Sequence, residues 1–339
     1  VVDGRQYDGG WAVHHEVEID GLVPGRLYSF YVATAQSGAL PAQCEGVVSA
    51  PASVHGRLEP NLDGDELWKY LQRRDACNRL AQAIHSVPRS LRAPAPGAAV
   101  RVAIIGDTRA NDAMPTDVLA AVTAEAPDLV VHTGDVVASG DDTEWQAFFS
   151  AAAALLSSTA LAPVPGERDL TPWGDRFGQL FGTSAGPQGR AYSVDVGALH
   201  LALLDSMAAL DPQAVWLESD LAAAQARGVR HLVVVLHWGP WSGGARGAAA
   251  LASIVPVAQR HGVEAIVSGH ENVYEHGVAG GQHYFITGGA GAVIGSAVRK
   301  ATTVTSRGEP HYLLLEVDGD TATMRAKDAA GGVFDEVTL

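Results

Sequence analysis

The chain has 339 residues, a hydrophobic share of 47% and a formal net charge of −15. That length suffices for one large domain with a smaller companion, and that hydrophobic share builds a core and excludes wholesale disorder. The acidic balance excludes non-specific binding to nucleic acid or to an anionic membrane surface, because no cationic face is left to displace counterions.

An anionic substrate would therefore need local positive charge, from a metal ion or a few arginines. Two cysteines, Cys44 and Cys77, exclude a disulfide scaffold and a cysteine-rich zinc site. They leave two readings open, one bridge in an oxidising compartment or two separate buried thiols. No apolar run reaches the length of a membrane span. The opening Val1-Val2-Asp3-Gly4-Arg5 lacks the pattern of a signal peptide and does not read as a natural start, so further sequence is expected upstream.

In chain order, residues 14–34 alternate polar and apolar positions around a Gly-Leu-Val-Pro-Gly turn at 21–25, which predicts antiparallel strands. Residues 65–87 place Leu67, Tyr70, Leu71, Cys77, Ala81 and Ile84 on one face at helical spacing. Asp63 or Asp65 is positioned to cap that helix, Pro88 to end it, and 92–97 reads as a linker. From Val100 the pattern becomes α/β. Strands are predicted at 102–105, 129–132, 199–204, 231–236, 265–268 and 283–287, a helix at 115–125, and a terminal hairpin over 312–327. The first β-α-β unit favours parallel pairing with a right-handed crossover.

Four of these strands, and the stretch Val164-Pro165, lead into a polar residue and a loop: Gly106-Asp107-Thr108-Arg109, Gly134-Asp135, Gly166-Glu167-Arg168-Asp169 after Val164-Pro165, His237, and Gly269-His270-Glu271-Asn272. Ligands in α/β sheets bind beyond the carboxyl ends of strands. Carboxylate and imidazole are the side chains that hold borderline divalent or trivalent metals. The preceding glycines are expected to let the chain turn sharply and approach the site. Each element alone is weak; their order is informative.

That ordered set resembles the signature of calcineurin-like metallophosphoesterases, closest to the purple acid phosphatase-like proteins. Gly269 to His276 is similar to the family's GHxHxYER, and His237-Trp238-Gly239-Pro240-Trp241-Ser242 to its HGPxxS loop. Gln213 to Leu221 and Thr287-Gly288-Gly289-Ala290-Gly291 match further family elements. The resemblance covers residues 100–339 well. Residues 12–50 loosely resemble the fibronectin type III-like companion domain. It implies an α/β fold with a β-sandwich flanked by helices in four layers, α/β/β/α, and a small N-terminal all-β part. The domains implied are 1–52, a helical connector at 53–98, and the metallophosphoesterase domain at 99–339.

The resemblance also implies two metal ions (Zn, Fe or Mn), a bridging aspartate, and attack on phosphorus by a metal-bound hydroxide. Asp107, Asp135, His237 and His270 match family metal ligands. Other positions depart. Where the family has a histidine two residues after the first aspartate, or a tyrosine three after the second, Arg109 and Ala138 stand. Glu167 replaces an asparagine ligand, Arg168 the catalytic histidine beside it, and Asn272 a histidine ligand. Asp135, Glu167, His237 and His270 remain suited to one ion, whereas the other loses its nitrogen ligand. Arg109 either points inward, opposing a cation and holding a phosphate oxygen, or pairs with Asp112 or another loop carboxylate at the surface. Asn272 is either a weak ligand or an amide tying down its loop.

The catalytic set under this reading is Asp135, Arg109, Arg168 and His237; the metal set is Asp107, Asp135, Glu167, His237, His270 and Asn272. The implied activity is metal-dependent hydrolysis of a phosphate monoester or diester, with one or two metal ions, a phosphorylated small molecule or other phosphoester as substrate, and no nucleic acid. The alternative is a catalytically inactive relative used as a binding or structural module. The companion domain implies a secreted, periplasmic or cell-surface location. A nucleotide-binding doubly wound domain is a poor reading, since no Gly-x-Gly-x-x-Gly follows the first strand, where Gly106-Asp107-Thr108-Arg109 stands instead.

Overall fold

The computed structural model describes residues 94–339 apart from 96, 111–115, 171–175, 182–190 and 298, together with the backbone of four short upstream strands. The chain divides into two compact units, Val1–Ala93 and Pro94–Leu339.

In the first unit, β1 (Leu27–Phe30) pairs antiparallel with β4 (Arg89–Arg92), and β2 (Ala33–Thr34) with β3 (Ile84–His85). This corrects the end of the predicted helix at 65–87 and the start of the linker at 92. Ile84 is β-branched, and Pro88 biases the residue before it toward extended backbone, so pairing with the earlier strands prevails over helical spacing. The rest of that helix, the predicted strand before the turn at 21–25, and both cysteines lie outside the described residues.

The second unit holds two sheets. Its elements run β5 (Val100–Ile105), α1 (Asp117–Glu125), β6 (Leu129–His132), α2 (Asp142–Ala151), α3 (Ala153–Leu156), β7 (Ala160–Pro163), α4 (Arg176–Phe181), β8 (Tyr192–Val196) and β9 (Leu199–Leu203). They continue with α5 (Leu210–Ala226), β10 (His231–Leu236), α6 (Gly244–Ser253), α7 (Val255–Arg260), β11 (Ala265–Ser268), β12 (Tyr274–Ala279), β13 (Gln282–Thr287), β14 (Thr303–Arg307), β15 (His311–Asp318), β16 (Thr321–Asp328) and β17 (Val333–Thr338). One sheet has the order β17-β16-β15-β5-β6-β7, the other β14-β12-β13-β11-β10-β9-β8. Parallel strands β5-β6-β7 form one end of the first sheet, and β9-β10-β11-β13 occupy the middle of the second.

The layering follows from the two-residue period of a strand. Val102 and Ile104 of β5, Leu201 of β9, Val235 of β10 and Val267 of β11 point into one core between the sheets. The intervening Ala103 and Ile105 face Val118, Val122, Trp145 and Phe148 on α1 and α2. Ala202, Val234, Leu236 and Ile266 face Leu217 and Leu221 on α5. The central strands are thus buried on both faces, which explains their unbroken apolar runs. The result is the expected α/β/β/α arrangement.

Helix α2 begins where Asp141 accepts a hydrogen bond from the Glu144 amide at 3.0 Å, while Glu144 accepts the Gly140 amide at 3.0 Å. This reciprocal cap fixes the chain just past the Asp135 loop. Among the described residues, no helix is long and apolar enough to cross a membrane.

Candidate metal centre

The five loops predicted from sequence meet at one place. The loops after β5, β6 and β7 bring Asp107, Asp135 and Glu167 from one sheet; those after β10 and β11 bring His237 and His270 from the other. Two overlapping groups of metal-ligating atoms result, Glu167/His237/His270 and Asp107/Asp135/His237, and within each group the atoms lie within 4.8 Å of one another. Asp107, Asp135 and His237 are fully buried, while Glu167 is 33% exposed and His270 20%, so the cluster opens to solvent on one side.

The backbone pays a conformational cost for this convergence. Five of the six non-glycine residues with positive φ among the described residues belong to the site: Asp107 (55°), Arg109 (44°), Asp135 (54°), His270 (74°) and Asn272 (50°). Such conformations cost about 1–3 kcal/mol each and persist where surrounding structure enforces them. The sharp turn therefore falls mostly on the ligand residue itself, a correction to the role expected of the preceding glycines. Gly134, at φ 97°, does take the left-handed conformation. Gly166 serves close approach instead, since a Cβ there would sit 2.3 Å from both the amide nitrogen and Oδ1 of Asp135.

Hydrogen bonds aim the side chains. His237 donates from Nδ1 to the Thr133 carbonyl at 2.8 Å, which turns Nε2 toward Glu167 Oε2 at 2.8 Å and Asp135 Oδ1 at 3.5 Å. A histidine fixed through one nitrogen in this way presents the other as a ligand. The His270 amide donates to Asp107 Oδ2 at 2.9 Å. Its Nδ1 lies 3.0 Å from Glu167 Oε1, yet off the line of a hydrogen bond, so the contact is a juxtaposition only. The Arg168 amide donates to Asp135 Oδ1 at 2.9 Å, and the residue itself is exposed at the rim.

Arg109 turns inward rather than toward solvent. Its Nη2 stands 3.0 Å from Asp135 Oδ2 and 3.7 Å from Asp107 Oδ1. Both of those buried oxygens lack a hydrogen bond of good geometry. Asn272 Oδ1 is also buried without a partner, so it does not tie down its loop.

Charge balance explains the perturbed acidities. Burial raises Asp107 to about 7; His237 pulls it down, while Asp135 pushes it further up. Burial likewise lowers the proton affinity of His237, but the Glu167 hydrogen bond and the carboxylates of Asp107 and Asp135 outweigh it and lift the imidazole to about 9. Burial opposes ionisation of Glu167 too, yet the His237 hydrogen bond and the nearby imidazoles of His237 and His270 hold it well below the usual carboxylate range. The cluster is short of positive charge, and it contains buried oxygens that nothing satisfies. Of the buried polar atoms without a hydrogen bond, His270 Nδ1 and Asp135 Oδ2 belong to the group formed by Glu167, His237, His270 and Asp135, whose mixed imidazole and carboxylate set suits a cation. The neighbouring group at Asp107 and Asp135 fits a cation less well, because a guanidinium already lies against it.

Several supporting residues escaped the sequence reading. Trp238 donates from Nε1 to Glu167 Oε2 at 2.9 Å, and its ring stacks on His270 with centroids 3.4 Å apart. Asp169 accepts the amides of Gly166 at 2.8 Å and Val137 at 3.1 Å, tying the Glu167 and Asp135 loops together; burial raises it to about 7. His132 accepts the Gly134 amide on Nδ1 and meets Thr108 Oγ1 through Nε2, and burial followed by repulsion from His237 keeps it neutral, at about 3. Trp238 and Asp169 stand within the motifs already noted, beside Glu167 or His237, which is the signal that could have found them.

A model of the calcineurin-like phosphoesterase family matches residues 100–274. The chain belongs to that family. Among solved structures it is similar to purple acid phosphatase PPD1 from yellow lupin (Lupinus luteus) seeds, at 17% identity and TM-score 0.67, over 92% of this chain and 69% of that one. It is also similar to PhoD, at 10% identity and TM-score 0.58, over 94% and 83% of the two chains. A third is GAP50, described as the anchor in the inner membrane complex of Plasmodium, at 16% identity and TM-score 0.55, over 71% and 89%. At these identities the likeness concerns the fold. Compared by sequence with curated proteins, the chain matches none.

Proposed function

We propose that this chain is a metal-dependent phosphoesterase that hydrolyses a phosphate monoester or diester at a cation held by Asp135, Glu167, His237 and His270. The observation that carries the reading is the meeting of ligand atoms from both sheets within 4.8 Å, beside buried polar atoms without hydrogen bonds. Zn, Fe and Mn ions suit a mixed carboxylate and imidazole set. Such an ion, when bound, lowers the pKa of a coordinated water and neutralises charge on phosphoryl oxygens. The chain's own residues orient and balance. Thr133 fixes the His237 tautomer, Trp238 and His237 hold Glu167, and the Arg168 amide holds Asp135. Arg109 inside the site and Arg168 at its rim are the cations available to a phosphoryl group, and guanidinium matches its oxygens well. A phosphorylated small molecule suits the overall charge of −15 better than nucleic acid does.

A second reading is an inactive module that keeps the scaffold for binding. The guanidinium of Arg109 against Asp135, and Asn272 in place of a nitrogen ligand, favour it; the fold neighbour described as an anchor is in keeping with such a use. Hydrolysis of a chromogenic aryl phosphate and a bis-aryl phosphate with added Mn²⁺, Zn²⁺ or Fe separates the two. Turnover abolished by His237→Ala supports the enzyme. A folded protein inert with every metal supports the module. A secreted, periplasmic or cell-surface location belongs to the first reading through the resemblance of residues 12–50; a Cys44–Cys77 bridge found by thiol titration would support it, and two free thiols would count against it.

A further inference from the structure

The cluster contains two places where a cation would be welcome, and one has a cation built from the chain itself. Asp107 Oδ1 and Asp135 Oδ2 are buried oxygens without a well-formed hydrogen bond, and Arg109 Nη2 stands 3.7 Å from the first and 3.0 Å from the second. We propose that the Arg109 guanidinium takes the second cation position permanently, so that the chain binds one metal ion and not two. The inference deepens the phosphoesterase reading and rests on it for the first ion, at Glu167, His237, His270 and Asp135.

Three features support a fixed substitution over a side chain that swings aside. The Arg109 amide donates to the Asp135 carbonyl at 3.0 Å and the next amide, of Ala110, to the Val136 carbonyl at 2.9 Å, so the backbone is anchored on both sides. The residue holds a φ of 44°, a conformation that an arginine keeps only under constraint. The side chain is 23% exposed, and its Nε is buried, so most of it already lies within the protein. Guanidinium has no lone pair to offer a metal, and its charge repels one. Asn272 offers only a buried amide oxygen without a hydrogen-bond partner, a weaker donor to an ion than the imidazole nitrogen that the resemblance would place there. One positive charge thus meets the two carboxylates without exchange with solvent metal.

The test counts ions. Full-length protein stripped with chelator is saturated with Mn²⁺, desalted, and analysed by plasma mass spectrometry, with electron paramagnetic resonance to tell an isolated Mn²⁺ from a coupled pair. The wild type should hold one isolated ion per chain. The double variant Arg109→Ala, Asn272→His should hold two, coupled; histidine tolerates the φ of 50° at position 272 better than most residues. Two ions in the wild type would overturn the substitution and leave the phosphoesterase reading standing, and that count is decisive even if the variant does not fold. One ion in a folded double variant would overturn it as well. No ion in either protein would overturn the metal reading beneath it.

Discussion

Replacing Trp238 by phenylalanine keeps an aromatic ring beside His270 and deletes a single donor. In the native protein Glu167 Oε2 accepts two hydrogen bonds, from His237 Nε2 at 2.8 Å and from the indole Nε1 at 2.9 Å. A hydrogen bond to a charged group contributes roughly 1.5–3 kcal/mol when well buried. Glu167 is one-third exposed, at 33%, so water takes over part of that, and about 1 kcal/mol is a reasonable remainder. If Glu167 is a ligand, the loss loosens its aim, and metal affinity falls roughly fivefold, somewhat less than the roughly tenfold or more that groups supporting a metal ligand commonly contribute, because Glu167 is partly exposed. Competition of Trp238→Phe against a chromogenic chelator measures this directly, with wild type and His237→Ala as brackets. An affinity unchanged within about twofold would refute the reasoning, because Glu167 would then be held by nothing that depends on the indole.

Other consequences are equally direct. Gly166→Ala would place a Cβ 2.3 Å from Asp135 Oδ1 and its amide nitrogen, so we expect about 1–3 kcal/mol of destabilisation in urea unfolding and weakened metal binding; a neutral outcome would contradict the close approach. Leu217 on α5 is fully buried against the outer face of the second sheet, and Leu217→Ala should cost about 2–5 kcal/mol, read from the denaturation midpoint, without altering the metal count. His200 is held between Asp195 at 2.6 Å and Asp220 at 2.9 Å. Burial alone would lower its pKa, but the two carboxylates outweigh burial and raise it. The stability it contributes is therefore full below about pH 6.5 and fades as pH rises through the raised value. The melting-temperature advantage of wild type over His200→Gln should shrink between about pH 6 and pH 9, and an advantage independent of pH would refute the assignment.

The central strands were legible because burial on both faces demands unbroken apolar runs, and those runs end where the site begins. Asp107, Asp135, His237 and His270 could be read for the same reason, since each follows such a run, while Glu167 follows the edge strand β7 and was read from the Gly166-Glu167-Arg168-Asp169 motif. Strands at the sheet edges were not legible. β14 and β17 are only half-buried and carry mixed polar sequences, and β8 is similar, so no apolar period marks them. Ile84–His85 was misread because helical spacing is local, whereas its strand partner lies about 50 residues earlier. Trp238 shows the same limit within the site. Its indole meets Glu167 across 71 residues of sequence, and only the folded chain discloses that pairing. The direction of Arg109 was open for a related reason. A guanidinium beside a loop serves solvent or site equally well in sequence, and the anchored backbone on either side decides it.

The proposed hydrolysis requires a cation seated among Asp135, Glu167, His237 and His270. Anomalous scattering from a crystal of the protein grown with Mn²⁺ or Zn²⁺ locates that ion without reference to activity. We predict one peak, at about 2.0–2.3 Å from ligand atoms of these residues, with none between Asp107 and Arg109. A metal bound elsewhere, or a cluster without a metal at saturating concentration, would contradict it.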